Sequence, residues 1–119
     1  MNKVWTTEKF TAFLERLTHE KRCVLACLLD DEDSWVIESS ILKTLHLHDG
    51  AALSRLLNMI SVVALSLEMD PGRVYSERAF TAGGVSERAC RIAPEFSFAA
   101  TQAGWPSKND AEDLRRKQQ

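Results

Sequence analysis

The chain has 119 residues, 45% of them apolar and 27% charged, with a net charge of −2. That length holds one hydrophobic core, which excludes a multi-domain reading, and the composition lies away from the low-hydrophobicity, high-charge range in which chains stay disordered. The near-neutral total excludes a global basic field that would draw the whole chain onto nucleic acid.

From the N-terminus, Thr6 or Thr7 can cap a first helix whose apolar residues Phe10, Phe13, Leu14 and Leu17 fall on one stripe. Thr18 is a second cap, and Val24, Leu25, Cys27, Leu28 and Leu29 make the following helix apolar over more than half its circumference. The acidic run Asp30-Asp31-Glu32-Asp33 meets the negative end of that helix's dipole, so the run is predicted to be a loop. Trp35-Val36-Ile37 is long enough only for a buried bridge or a one-rung strand, and Glu38 to Leu45 follows as a short helix with Ile41, Leu42 and Leu45 turned inward.

In the turn His46-Leu47-His48-Asp49-Gly50, Leu47 can plug the space between two helices while Asp49 caps the next one. That helix, from Asp49 to Leu67, carries Leu53, Leu56, Leu57, Ile60, Ala64 and Leu67 at helical spacing, and Asp70-Pro71-Gly72 is its stop signal. It also carries a second apolar set, Met59, Val62, Val63 and Leu65, which needs a cover from the hairpin and last helix or from a second copy of the chain. Val74 to Phe80 and Val85 to Ile92 flank Thr81-Ala82-Gly83-Gly84 as a β-hairpin. Pro94 suits the first position of a last helix, Glu95 to Ala103, closed by Gly104. The expected fold class is therefore mainly α with a small β-hairpin, α+β, in one domain over residues 1–105, with 1–17 as a helical extension and 106–119 as a disordered polar tail.

The charge is uneven along this order. Residues 1–34 carry five Lys/Arg against seven Asp/Glu, residues 35–70 two against four, and residues 71–119 eight against six. Any anion-binding surface is expected in the last third, where Arg73, Arg78, Arg88 and Arg91 fall in or beside the hairpin.

Helix, helix, short strand, short helix, tight turn, long helix and hairpin in this order resemble the winged helix-turn-helix superfamily over about residues 18–93. The residues that carry the likeness are Val24 to Leu29, Trp35-Val36, Ile41-Leu42-Leu45, Leu47, Leu53 to Leu67 and the Gly83-Gly84 turn. The resemblance implies a DNA-binding transcriptional regulator, dimeric on a two-fold site. In it Ser54, Arg55 and Asn58 would face base edges while Arg78, Arg88 and Arg91 would meet phosphates of double-stranded DNA. The chain departs from that pattern in one respect: between Asp49 and Met69 the groove helix holds a single base, Arg55, where phosphate counterions must be replaced by Lys or Arg. The alternative from the residues alone is a protein-interaction module or inhibitor on the same scaffold, using the acidic N-terminal half and exposed apolar residues.

Enzymatic chemistry is not expected, since no nucleophile, metal or cofactor pattern stands out. His19, Cys23 and Cys27 fall at i, i+4 and i+8, a spacing that offers a soft metal two thiolates and an imidazole, but two core cysteines beside a surface histidine account for it. His46 and His48 lack partners at zinc spacing, and the acidic run lacks the turn glycine and distal glutamate of a calcium loop. No cofactor and no metal are expected. The three cysteines, the lack of an apolar signal core near Met1 and the short apolar runs suggest a cytoplasmic protein that does not engage membranes.

Overall fold

In the computed structural model, which describes residues 4–108 and Glu112, five helices and a three-stranded antiparallel sheet follow one another as an α+β fold. Helix α1 (Thr7–Glu15) starts at Thr6, whose hydroxyl accepts from Lys9 N at 3.1 Å. Helix α2 (His19–Asp30) starts after Thr18 and ends as the acidic run begins. Strand β1 (Val36–Ile37) leads directly into α3 (Glu38–Leu45), and Asp49 caps α4 (Gly50–Ser66) by accepting from Ala52 N at 2.9 Å. Strands β2 (Tyr75–Ala82) and β3 (Val85–Ile92) form the hairpin, and α5 (Pro94–Ala103) follows it.

Three helices end in the same way. A left-handed residue follows each helix, one position past the end at His46 and Gly104 and two past it at Glu68, and the next amide reaches back five residues: Leu47 to Leu42 O, Met69 to Ala64 O and Trp105 to Ala100 O, each at 2.9 Å. That motif is reinforced by an apolar side chain folded back on the helix end. Met69 is fully buried, while Leu47 and Trp105 pack partly buried against the core. Helix α4 thus stops before Asp70-Pro71-Gly72, which instead opens a 3-10 turn at Pro71–Arg73.

The sheet order is β1-β3-β2, with Val36 opposite Cys90 and Tyr75 opposite Ile92, so β3 is central and β2 is an edge. Gly83 and Gly84 make the two-residue turn with φ of 58° and 79°, conformations that a right-twisted hairpin requires and that glycine adopts without strain.

The core has two connected parts. Val24, Leu25, Leu28, Ile41, Leu53, Leu57 and Ile60 join α2, α3 and α4. Phe10 and Phe13 of α1 meet Phe96 of α5 at ring-centroid distances of 5.2 and 5.7 Å, with Trp5 edge-on to all three. No helix among the described residues is long and apolar enough to cross a membrane.

The second apolar set of α4 is not covered by the hairpin or by α5. Met59, Val62 and Leu65 are 47%, 54% and 59% exposed, and only Val63 tucks against the core. The hairpin instead lies along a different side of α4: Tyr75 Oη donates to Leu57 O and pairs with Ser61 Oγ, while Arg88 reaches Ser54. Helix α5 is committed to α1. Except for Glu112, the expected tail beyond Lys108 lies outside the described residues.

Candidate interaction surface

Of the six residues expected to meet DNA, Arg55 and Asn58 stand exposed on the outer face of α4. Ser54 and Arg88 are brought together, but with each other: Arg88 Nη1 donates to Ser54 Oγ at 3.0 Å. The same guanidinium donates to Glu38 Oε1 from Nε at 3.0 Å and from Nη2 at 2.5 Å, and to Gly50 O at 3.1 Å. The two ionic side chains are 20% and 25% exposed. Such a charge-assisted, half-desolvated cluster is stronger than a surface ion pair.

The hairpin register divides the three arginines between two faces. Residues directly opposite one another in an antiparallel ladder share a face and neighbours along a strand alternate. Arg78 opposite Ala89 and Arg91 opposite Ser76 therefore share one face, and Arg88 lies on the other. On its face, the Arg78 guanidinium sits 4.5 Å above the Trp35 ring, a cation–π contact. Arg91 Nε is buried and makes no hydrogen bond among the described residues. The predicted phosphate contacts do not converge on one surface.

Glu38 and Trp35 are the residues that sequence reasoning missed. Glu38 begins α3, yet its carboxylate oxygens lie 3.0 and 3.1 Å from where a Cβ on Gly50 would stand. The carboxylate thus occupies the N-terminal end of α4, where unpaired N–H groups and the helix dipole favour an anion. The glycine immediately after the Asp49 cap was the available signal: an alanine there favours a helix more, unless another group must come close.

Gly50→Ala is accordingly expected to destabilise the fold by about 1 kcal/mol, although a glycine-to-alanine change at an open helical position stabilises by a similar amount. In a Glu38→Ala background the same change is expected to become stabilising. Urea unfolding of the four proteins of this cycle checks both signs.

The remaining chemistry is subdued. His19, Glu20, Cys23, Leu45, His46, Leu47 and Leu56 line a cavity of about 270 Å³, with His19 Nε2 and Cys23 Sγ 3.4 Å apart. Among the described residues no group of three or more His, Cys, Asp or Glu is arranged to hold a metal. Burial, with Asp30 and Asp31 nearby, pushes the Cys27 thiol up to about 11. Burial, with Glu77 nearby, pushes Cys90 to about 12. Both remain protonated near neutral pH, so neither offers a thiolate for nucleophilic attack or metal ligation.

Comparison with known protein families, curated proteins and solved structures gave no match. The surface is therefore read from its own chemistry. One end of α4 carries a saturated ionic cluster, and its outer face runs from Arg55 and Asn58 to an exposed apolar stripe of Met59, Val62 and Leu65.

Proposed function

We propose that the chain is a non-enzymatic protein-interaction module on a winged helix-turn-helix scaffold, with the outer face of α4 as its contact surface. The helix order and the β1-β3-β2 sheet support the scaffold reading. The observation that carries the choice of partner is the Glu38 carboxylate on Arg88 at the N-terminus of α4. A DNA-reading helix of this scaffold would offer those same groups to a phosphate. Here they are neutralised from within, and a bound phosphate would face an adjacent carboxylate. The apolar stripe further along α4 matches the desolvated centre of a protein interface better than it matches a groove.

The competing reading, a DNA-binding regulator, draws on Arg55 and Asn58, which remain exposed. A fluorescence-anisotropy titration with a mixed-sequence duplex separates the two. The module is expected to show no duplex binding at physiological salt. Tight binding that falls steeply with salt would overturn the proposal in favour of the regulator.

A further inference from the structure

We propose that Cys23 is a modification site for small conjugated carbonyl compounds, with His19 as the base that activates it and the cavity between α2, α3 and α4 as the way in. The inference goes beyond the outer face of α4 and does not depend on it. His19 and Cys23 lie four residues apart in α2, so they share a face of the helix, and His19 Nε2 stands 3.4 Å from Cys23 Sγ. Both line a partly open cavity of about 270 Å³, together with His46 and Leu47 of the turn after α3 and Leu56 of α4. Cys23 is only 5% exposed, and the cavity is what brings a small molecule to its sulfur.

The three cysteines differ in their surroundings. Cys23 has an imidazole at hydrogen-bond distance, whereas burial and nearby acids push Cys27 up to about 11 and Cys90 to about 12. Cys23 itself adds to the negative charge that raises Cys27, and Cys27 does the same to Cys90. Each effect requires the named neighbour to ionise first, so the thiols ionise in the order Cys23, Cys27, Cys90. The thiolate is the nucleophile, and the first of the three to form is the one that faces the cavity.

With its own proton on Nδ1, His19 accepts the thiol proton at Nε2, and the thiolate attacks the β-carbon of the carbonyl compound. A carbon–sulfur bond forms as the carbon–carbon π bond breaks, its electron pair moves to the α-carbon and carbonyl oxygen, and the imidazolium returns the proton to the α-carbon. The addition needs neither an oxidant nor a leaving group. Leu45, Leu47 and Leu56 on the cavity wall favour an apolar reagent, and Glu20 beside them disfavours an anionic one. His46, on the same wall, can donate to the carbonyl oxygen as charge builds there.

Labelling of the full chain with N-ethylmaleimide near neutral pH, read cysteine by cysteine by peptide mass spectrometry, tests the proposal. Cys23 is expected to react at least about tenfold faster than Cys27 or Cys90, which serve as controls within the same molecule. His19→Ala is expected to slow Cys23 by about tenfold or more, with the other two cysteines and the far-ultraviolet CD spectrum unchanged, and added imidazole to restore part of the rate. His19→Gln, which keeps a hydrogen-bonding side chain without a basic nitrogen, is expected to show the same loss. A Cys23 that reacts no faster than Cys27 and Cys90 overturns the proposal, as does a rate indifferent to both His19 variants. A loss that imidazole does not restore assigns His19 to packing and overturns its part as the base.

Discussion

Phe96→Ala is expected to destabilise the protein by about 4 kcal/mol, the upper range for truncating a buried aromatic. Phe96 is fully buried and is the ring of α5 that touches Trp5, Phe10 and Phe13 together, at centroid distances of 5.4, 5.2 and 5.7 Å. Removing it deletes the apolar transfer energy of the ring and leaves three ring contacts, two edge-on and one tilted, without their shared partner. The N-terminal helix has few other anchors of this kind; Trp5 Nε1 donating to Arg73 O at 2.9 Å is one of them. The loss should therefore appear as a fall of about 15 °C in Tm for a domain of this size. It should also include a shift in tryptophan emission as Trp5 is released. A loss below about 1 kcal/mol in urea unfolding would mean that α1 and α5 are appended to the core and not part of it.

The reasons some features were legible in the sequence and others were not are physical. Helix starts were readable because capping is local: Thr6 and Asp49 accept from amides three residues on, and the side chain that decides is within the same short segment. The hairpin was readable for the same reason, through Gly83-Gly84 and the runs beside it. The apolar surplus on α4 was visible as Met59, Val62 and Leu65, but its cover is a tertiary matter. Tyr75 and Arg88 tie the hairpin to the side of the helix that carries Leu57, Ser61 and Ser54, and leave the surplus outside. The interaction surface was half legible. Arg88 was singled out as a cation, but Glu38, its partner, lies 50 residues away and contacts it only once β3 has come alongside the start of α4. Trp35 beneath Arg78 is the same case, a pairing created by the sheet. An arginine's charge is written in sequence; whether that charge is free is decided by the fold.

Glu38→Gln turns that distinction into a functional expectation. The substitution keeps the length and one acceptor of the side chain but removes the negative charge facing Arg88, Gly50 and the start of α4. Two effects follow from the same change. The 20%-exposed Arg88 side chain loses its counter-ion, which is expected to cost about 2 kcal/mol, less than for a fully buried pair because solvent still reaches both groups. At the same time the helix N-terminus and the guanidinium become a site with net positive potential, of the kind that binds phosphate. The variant is therefore expected to bind a mixed-sequence duplex at low salt roughly tenfold more tightly than the wild type, with a salt slope steeper by about one phosphate contact. Both effects are read from one protein preparation, by urea unfolding and by anisotropy. Destabilisation without any gain in duplex affinity would mean that Glu38 holds the hairpin in place but is not what keeps this surface from nucleic acid. A gain in affinity with stability unchanged would mean that the ion pair contributes little to the fold and that its main effect is to deny phosphate the N-terminus of α4.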